Sequence, residues 1–369
     1  MKGSLALLCA VIDAAAMLMP NAAWPADPVR IDEDGTAHVP SMVLPESSFL
    51  SEQTRAALKK ARTRDADGSA SQNSCAPIEK ADRAQAPAIR RCEADRYYQS
   101  AFYKALRDRY PVTLTGGKIA GVYTETFVPM QGIAPDNRAR VLVNLHGGGF
   151  VGGSRINSHT ESVPIASVGR IKVISVDYRQ APEYEFPAAS EDVAAVYREL
   201  VKTYLPKNIG IYGCSAGGLL TAQSLAWFQK EKLPAPGAVG MLCEGAGYWT
   251  EGDTGRVGQA LIGSPVIWGP AGNNPYFKHT SLNDPLAFPV RSPAVMARFP
   301  PSLLIASTRD PALSSVVHTH SVLVALGVSA ELHVWDGLEH AFFFDPDVPE
   351  SQEVYAVVAR YFEGHLGRE

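Results

Sequence analysis

Short apolar runs recur along the chain after residue 140, and longer segments of mixed polarity separate them. The runs are nearly continuous in apolar residues, which is typical of strands in a sheet that is covered on both faces. They occupy residues 140–145, 171–176, 209–212, 238–243, 302–307 and 331–335. Helical patterns occupy residues 188–205, 219–230, 312–326 and 353–366. The alternation predicts an α/β fold with a mostly parallel central sheet, flanked by helices and joined by right-handed crossovers.

The N-terminal part of the chain has a different pattern. Within residues 27–112, helices are predicted over 51–62 and 93–110. Residues 64–74 are rich in Asp and Ser and predict a flexible linker. Four large side chains recur at helical spacing in the second helix, and we interpret them as a packing surface: Tyr97, Tyr98, Phe102 and Leu106.

Two further segments complete the predicted organisation. Residues 118–129 form an extended, β-like run. The alternation of strands and helices stops over residues 246–299, which are rich in Gly, Pro, Asn and aromatic residues, so we predict an insertion that covers the functional site. The core is then built from residues 113–245 and 300–369. Residues 27–112 and the insertion are predicted to form a helical cap.

Composition and charge exclude some classes of protein. The chain has 369 residues, of which 46% are hydrophobic and 20% charged, enough for a sizeable core. Its formal net charge is −4, and no basic run is interleaved with aromatic residues. Nucleic acid is therefore not an expected partner. No pattern predicts an oligomeric state.

The first residues resemble an export signal. Lys2 provides a positive start, residues 5–19 are mostly apolar, and small residues surround Ala23 and Ala26. Asp13 interrupts the apolar run, which is short for a membrane-spanning helix. We predict a cleaved signal over residues 1–26, a periplasmic or secreted protein, and no stable membrane insertion after cleavage.

The five cysteines fall into three groups. Cys9 would leave with the signal. Cys75 and Cys92 lie close together in a polar region, so an exported protein is expected to join them in a disulfide; the alternative is two solvent-facing thiols in a cytosolic protein. Cys214 and Cys243 lie in apolar surroundings and are expected to be buried. No Cys/His spacing is typical of zinc, so no metal is predicted.

One segment combines a strand, a glycine-flanked serine and a helix. The predicted strand at 209–212 runs into Gly213-Cys-Ser-Ala-Gly217, and a predicted helix follows. Glycines on both sides of Ser215 permit the tight turn known as a nucleophile elbow, which exposes the serine hydroxyl beyond the sheet. The alternative is an ordinary glycine-rich turn. The surrounding strand and helix favour the elbow.

Three other strand ends carry polar residues that complement Ser215. His146-Gly-Gly-Gly149, Asp310 and His340 each follow a predicted strand, and active sites in open parallel sheets lie at the carboxyl ends of the strands. His340 can act as the base that activates Ser215. Asp310 can orient and stabilise the imidazole. The glycine run supplies backbone N–H groups for an oxyanion.

The acid partner of His340 has two competitors nearby. Asp336 and Glu339 lie in the same loop as His340. We prefer Asp310, because the order Ser, Asp, His with the acid on the preceding strand end is the order of the α/β-hydrolase triad. The glycine run is not a phosphate loop, because no Lys-Ser/Thr follows it.

Taken together, these motifs resemble the hormone-sensitive-lipase-like group of α/β-hydrolases, which contains bacterial esterases and lipases. The matching stretches lie between residue 140 and the C-terminus and include residues 146–150, 176–183, 186–189, 213–218, 309–311 and 339–340. The resemblance implies an α/β-hydrolase fold and cofactor-free hydrolysis of small or medium acyl esters through an acyl-enzyme. Its substrate would be a small-molecule ester.

The resemblance also implies roles for individual residues. Ser215, Asp310 and His340 would form the catalytic triad. The oxyanion hole would use the N–H groups of three residues: Gly148, Gly149 and Ala216. His146, with Gly147 beside it, would support this loop without acting as a base. Three residues would be structural: Tyr178, Arg179 and Glu183.

The chain departs from this pattern at Cys214, since the residue before the serine is often acidic in the group. In such enzymes a cap shapes the acyl pocket. Four aromatic residues of the insertion either line that pocket or pack the cap on the core: Trp249, Trp268, Tyr276 and Phe277. Two other functions remain open at this point: a peptidase on the same fold, and a non-catalytic ligand-binding protein.

Overall fold

The computed structural model describes residues 29–41, 43–66, 75–262 and 273–367 of the chain. Contacts divide the chain into two compact units, Met1–Ser47 and Ser48–Glu369. In the first unit, β1 (Arg30–Ile31) and β2 (Ala37–His38) pair as a short antiparallel hairpin. The predicted signal over residues 1–26, including Cys9, lies outside the described residues.

An eight-stranded sheet forms the centre of the second unit. Its strands are β3 (Val112–Ile119), β4 (Val122–Pro129), β5 (Val141–Leu145), β6 (Val173–Val176), β7 (Ile209–Cys214), β8 (Ala238–Leu242), β9 (Ser302–Ser307) and β10 (Ala330–Trp335). Their order across the sheet is β10-β9-β8-β7-β5-β6-β4-β3. The pairs of β4 with β3 and β6 are antiparallel and the others parallel. Strands β5 to β9 are buried throughout, which confirms the predicted α/β fold.

Some helices of this unit pack against the sheet, and others lie in the N-terminal segment that precedes β3. They are α1 (Glu52–Ala66), α2 (Ala86–Gln99), α3 (Ala101–Arg109), α4 (Asn157–Gly169), α5 (Ala188–Leu200), α6 (Ala216–Glu231), α7 (Thr254–Leu261), α8 (Pro293–Met296), α9 (Leu313–Ala325) and α10 (Pro349–His365). No helix within the described ranges combines the length and hydropathy required to span a bilayer.

The predicted helix over residues 93–110 is wrong, because two helices occupy this region. α2 ends at Gln99 and α3 begins at Ala101. Between them Ser100 has φ −73° and ψ 148°, and its hydroxyl accepts a hydrogen bond from the Tyr103 N–H. A serine that caps the second helix in this way must leave helical geometry itself, so the chain turns at this residue.

Three other predicted elements have different bounds in the structure or are interrupted. The extended run over 118–129 is interrupted by a turn at Ala120 and Gly121, both with positive φ, so β3 and β4 form a hairpin. α5 ends at Leu200, earlier than the predicted residue 205. α1 continues to Ala66, so the predicted linker begins later than residue 64, and residues 67–74 lie outside the description.

α4 was not predicted from the sequence. All residues from Ser158 to Ser167 are buried, whether polar or apolar. A helix that is covered on every side needs no apolar stripe, and periodicity therefore gives no signal for it. Several polar groups on this helix bond to neighbours: His159, for example, lies 2.9 Å from a carboxylate oxygen of Glu125.

The segment that carries α2 is fixed to the core at several points. The structure contains a disulfide between Cys75 and Cys92. Arg90 donates to both carboxylate oxygens of Glu183, at 2.7 and 3.0 Å, and to the carbonyl oxygen of Val151 at 2.9 Å. Glu183 thus has a structural contact, as the family resemblance implies.

The aromatic stripe of α2 and α3 packs against α4. The Tyr97 hydroxyl lies 2.8 Å from Thr160 Oγ1, and the Tyr98 hydroxyl donates to the Arg155 carbonyl oxygen at 2.8 Å. The Tyr98 ring lies 5.0 Å from the His159 ring, between centroids. These contacts agree with the packing surface that was predicted from the helical spacing.

Candidate active site

Ser215 occupies a strained turn between β7 and α6. Its φ and ψ are 58° and −124°, a conformation that non-glycine residues rarely adopt. A Cβ atom added to Gly213 or Gly217 would overlap the carbonyl oxygen of Leu145, so only glycine fits at these two positions. The sharp turn holds Ser215 at the carboxyl end of the central strand and at the N-terminus of a helix.

The His340 ring is oriented by Asp310. His340 Nδ1 donates to Asp310 Oδ1 at 2.8 Å, and the Ala312 N–H donates to the same oxygen at 2.8 Å. Asp310 is fully buried, whereas 27% of the His340 side chain is exposed. Burial alone would lower the pKa of His340, but the charge of Asp310 and its hydrogen bond outweigh burial and raise that pKa above its ordinary value.

The loop that carries the two competing acids is held by other contacts. Asp336 Oδ1 accepts a hydrogen bond from Thr308 Oγ1 at 3.0 Å. The backbone carbonyl of Glu339 accepts one from Ser307 Oγ at 3.0 Å. His340 Nδ1 is bonded to Asp310. The geometry therefore selects the acid on the β9 end, as the chain order suggested.

His146 is buried behind the glycine run. Its ring stacks on Tyr178 at 4.3 Å between centroids, and its Nδ1–H donates to the Gly147 carbonyl oxygen at 2.7 Å. The Tyr178 hydroxyl donates to the His146 carbonyl oxygen at 2.6 Å. Burial lowers the pKa of His146, so the ring is neutral near pH 7. These contacts hold the loop and leave His146 away from the pocket.

Arg179 adds a second support near this loop. Its Nε donates to Asp192 Oδ1 at 2.9 Å, and its backbone N–H donates to Oδ2 of the same residue at 2.8 Å. The pair joins the segment after β6 to α5, which keeps Tyr178 in place beneath His146. Tyr178, Arg179 and Glu183 all make structural contacts.

Three backbone N–H groups near Ser215 have no protein acceptor. Within the part of the chain that the structure describes, the N–H groups of Gly148, Gly149 and Ala216 donate to no backbone or side-chain oxygen. Gly148 and Gly149 have φ values of 122° and 62°, which side chains disfavour. Gly149 and Ala216 line the same cavity as Ser215, whereas Gly148 does not line it.

The cavity beside Ser215 has a volume of about 220 Å³ and mostly apolar walls. The described residues that line it are Gly149, Phe150, Ser215, Ala216, Leu219, Glu244, Tyr248, Trp249, Gln259, Ile262, Asn274, Phe277, Pro311 and His340. Ser215 and His340 therefore face one space. Asp310 lies behind His340 and does not reach it.

The four insertion aromatics have different positions. Trp249 and Phe277 line the cavity, as one of the two interpretations expected. Tyr276 is fully buried instead: its ring stacks on Phe150 at 4.5 Å, and its hydroxyl accepts from the Ala189 N–H. Trp268 lies outside the described residues.

Glu244 places a carboxyl group in the cavity wall. The side chain is 4% exposed, and its Oε1 accepts from the Gly245 N–H at 2.9 Å. Burial raises the pKa of Glu244 well above its ordinary value. No sequence motif singled out this residue, because a lone glutamate after a strand carries no pattern.

Cys243 lies close to the histidine–aspartate pair. The Cys243 Sγ, a carboxylate oxygen of Asp310 and a ring nitrogen of His340 lie within 4.8 Å of one another. Asp310 Oδ1 and His340 Nδ1 are already hydrogen-bonded to each other, and burial raises the pKa of the Cys243 thiol, which disfavours the thiolate that metals bind. The arrangement fits an oriented imidazole better than a metal centre.

Glu161 on α4 was missed from the sequence and lies directly below the site. It is 2% exposed, and its carboxylate accepts hydrogen bonds from the backbone N–H groups of Gly147 and Cys214. No signal identified it, because neither its helix nor its spacing matched a motif.

Comparison with known proteins agrees with this geometry. Residues 142–344, more than half of the chain, match the protein family described as alpha/beta hydrolase fold. LipR of Mycobacterium tuberculosis, provisionally named an acetyl-hydrolase, is 27% identical over 65% of this chain and 78% of its own length. A versiconal hemiacetal acetate esterase of Dothistroma septosporum is 26% identical over 58% of this chain and 69% of its own.

Solved structures agree as well. The crystal structure of an esterase E25 has a TM-score of 0.75 and 26% identity, covering 89% of this chain and 98% of that one. An esterase from the bacterial hormone-sensitive lipase family has a TM-score of 0.69 and 25% identity, covering 86% and 99%. With the matched sheet, elbow and strand-end residues, these findings place the chain in the α/β-hydrolase family.

Proposed function

We propose that this protein is a serine esterase that hydrolyses carboxylic esters of small or medium acyl groups through an acyl-enzyme. The observation that carries the proposal is one cavity lined by Ser215 and His340, with Asp310 bonded to the far side of the imidazole at 2.8 Å. This arrangement supports roles for Ser215 as nucleophile, His340 as base and Asp310 as orienting acid in acyl transfer. The named relatives, which are esterases and acetyl-hydrolases, support the same class of reaction.

Acylation begins with neutral His340. Its Nε2 takes the proton of Ser215 Oγ while the oxygen attacks the ester carbonyl carbon. The carbonyl oxygen becomes an oxyanion, which is proposed to accept hydrogen bonds from the N–H groups of Gly149 and Ala216, with that of Gly148 as a third donor. The imidazolium, stabilised by Asp310, then gives its proton to the alkoxide. The ester C–O bond breaks, the alcohol leaves, and the acyl group stays on Ser215.

Deacylation repeats these steps with water as the nucleophile. His340 takes one proton of the water as its oxygen attacks the acyl carbon, and the same N–H groups receive the second oxyanion. When the bond to Ser215 Oγ breaks, His340 returns the proton to this oxygen. The products are a carboxylic acid and the free enzyme.

The size of the cavity supports small or medium acyl groups. Its volume of about 220 Å³ lies below the ~300–1,000 Å³ typical of drug-sized ligand pockets. Leu219, Trp249 and Phe277 provide apolar walls for an alkyl chain. Polar side chains of Glu244, Gln259 and Asn274 interrupt these apolar walls.

We also propose that the protein is exported to the periplasm or secreted. The pattern of residues 1–26 supports export, and so does the bond between Cys75 and Cys92, since disulfides persist in oxidising compartments. Fractionation of cells that express the full chain tests this. A mature N-terminus near residue 26 in the exported fraction supports it, and an intact N-terminus in the cytosol contradicts it.

The proposed activity is tested with p-nitrophenyl acetate, butyrate, octanoate and palmitate, using the wild-type protein and Ser215→Ala. We expect turnover with a short or medium chain and loss of turnover in the variant. Equal turnover by both proteins would show that Ser215 is not the nucleophile. A folded wild-type protein that cleaves amide but no ester substrates would favour a peptidase, and one that cleaves neither would favour a ligand-binding protein.

A further inference from the structure

The parallel ladder between β5 and β7 ends just before the two loops of the site. Its last pair is Leu145 with Gly213. Beyond it the chains diverge into the glycine run and the elbow. The Ser215 N–H points to the other side of β7 and donates to Leu242 at 2.8 Å. The N–H of Cys214 therefore points toward β5, where the ladder no longer supplies a partner.

Glu161 accepts hydrogen bonds from N–H groups that have no partner in the β5–β7 ladder. Its Oε1 accepts from the Gly147 N–H at 2.8 Å, and its Oε2 accepts from the Cys214 N–H at 3.2 Å. The same Oε2 accepts from Asn144 Nδ2 at 2.8 Å. Asn144 is fixed in turn, because Ser175 Oγ donates to its amide oxygen at 2.8 Å. One carboxylate thus joins two strand ends and their neighbours.

The two loops touch at this carboxylate. A Cβ atom built on Gly147 would lie 2.9 Å from the Cys214 carbonyl oxygen, 3.4 Å from Ser215 Cβ and 3.5 Å from Glu161 Oε1. Gly147 directly precedes Gly148 and Gly149, and Cys214 lies two residues before Ala216. The anchored N–H groups therefore lie within two residues of the groups proposed to receive the oxyanion.

From these contacts we infer that Glu161 is the positioning residue of the oxyanion hole: its carboxylate fixes the glycine run against the elbow, so that the N–H groups of both loops converge on one oxygen. This inference rests on the proposed function. The effect of Glu161 is expected in the transition state, because hydrogen bonds from the converging N–H groups are strongest when the carbonyl oxygen becomes charged.

Within the described residues, no cationic side chain pairs with Glu161 to offset the charge of its carboxylate. Among the described residues it forms no ion pair, and burial raises its pKa to about 8, against hydrogen bonds from Gly147, Asn144 and Cys214 that lower it. The titratable side chains that act on it electrostatically are uncharged near pH 8, because burial raises the pKa of each: Tyr178, Tyr212, Cys214 and Cys243. Only the ionised carboxyl can accept from all three N–H donors without a conflicting O–H.

The first experiment compares wild type with Glu161→Gln, which keeps the shape of the side chain but offers one acceptor oxygen. With p-nitrophenyl butyrate we expect kcat to fall about 10- to 100-fold, since displaced oxyanion donors cost rates of this order, and KM to change less than about twofold. An alkylboronic acid, which forms a tetrahedral adduct on the serine, should lose affinity by the same factor as kcat.

Glu125→Gln is the matched control. Glu125 is a buried carboxylate like Glu161, but it pairs with His159 at 2.9 Å, away from the cavity. We expect this variant to lower the melting temperature and to leave kcat and the boronate affinity unchanged. If Glu161→Gln lost stability in the same way but kept the wild-type kcat and boronate affinity, the inference would be overturned.

The pH profile of kcat/KM gives a second readout. The wild type should show a rise centred near pH 8, as Glu161 ionises, in addition to the rise caused by His340, and Glu161→Gln should lack the rise near pH 8. Profiles of equal height and shape in the two proteins would overturn the inference. If Glu161→Gln does not fold, Glu161→Asp takes its place, because it keeps the carboxyl but shortens its reach to Gly147 and Cys214; an unchanged kcat in that variant would overturn the inference. A folded wild type with no ester turnover would instead contradict the proposed function, which keeps the two failures apart.

Discussion

His340 Nδ1 lies 2.8 Å from Asp310 Oδ1, although the loops that carry these residues follow two different strands. The adjacent pairing of β9 and β10 brings them together. A fully buried carboxylate facing a partly exposed imidazole fixes one tautomer of the ring, in which Nδ1 carries the proton, and the His340 side chain lines the cavity.

The pair predicts the response to Asp310→Asn. The amide cannot hold the imidazole in the required tautomer or stabilise its charge, so kcat should fall on the order of 10⁴-fold, as in other serine hydrolases. Asp336→Asn is the control, since Asp336 is bonded to Thr308, and it should change kcat less than about threefold. Similar losses in both variants would show that the acid has been assigned to the wrong strand end.

The same pair determines the acidic limb of the pH profile. His340 acts as a base only when neutral, and its pKa is raised above its ordinary value. Turnover should therefore be lost as the pH falls, and the midpoint of this loss should lie above about 6.5. In Asp310→Asn the midpoint should move to lower pH. Steady-state rates in overlapping buffers measure both, and an unchanged midpoint would contradict the electrostatic role of Asp310.

Glu244 predicts a pH-dependent stability. Its folded-state pKa is raised, so the folded protein holds this proton more tightly than the unfolded chain. Stability should therefore fall as pH rises above the ordinary pKa of the carboxyl, by at most about 1.4 kcal/mol per pH unit. Glu244→Gln should stabilise the protein more at pH 9 than at pH 6 in thermal melts. The exposed Glu363→Gln should show no such difference; a Glu244→Gln effect equal at both pH values would contradict the shift.

Trp249 predicts a change in chain-length preference. It contributes a large apolar surface to the cavity wall, and removing it should admit a longer acyl chain. Trp249→Ala should raise the ratio of kcat/KM for octanoate over acetate about tenfold, since each accommodated methylene contributes roughly 0.8 kcal/mol. Trp335→Ala, on β10 and outside the cavity, is the control. An unchanged ratio would place the acyl chain elsewhere.

The disulfide predicts a thiol count and a loss of stability. Titration of the unfolded, unreduced mature protein should give two thiols, from Cys214 and Cys243, and reduction should add two. Replacing both cysteines, Cys75→Ser with Cys92→Ser, should lower the free energy of unfolding by about 3 kcal/mol for a loop of this length. Four thiols before reduction would show that the pair is not joined. Cys214→Ser, which removes no bond, serves as the control.

The sequence was most informative where local chemistry decides the structure. Gly213 and Gly217 flank Ser215 because any Cβ atom there would overlap Leu145, so the elbow can be recognised from residue types alone. The topology of a parallel sheet then brings Asp310 and His340 to the same edge. For this reason the residues proposed as acid, base and nucleophile could be chosen from the sequence, and the structure brings Asp310 and His340 into contact.

The sequence was least informative where a segment is buried on all sides and therefore shows no amphipathic pattern. α4 is covered on all sides and contains Pro164, so neither its existence nor the importance of Glu161 could be predicted. Ser100 divides a stretch that looks continuous, because capping outweighs periodicity at that residue. Tyr276 packs rather than lines the cavity, since its position depends on Phe150, far away in the chain.

The location of a carboxylate on α4 limits how this enzyme can be recombined with its relatives. Cys214 is the position at which the family resemblance led us to expect an acid, and its N–H is already bonded to Glu161. Grafting an acidic elbow into this chain would enclose two carboxyl groups in one dry space, where one must take up a proton or the loops must separate. The elbow and α4 are therefore not interchangeable parts: in a chimera they must be inherited together.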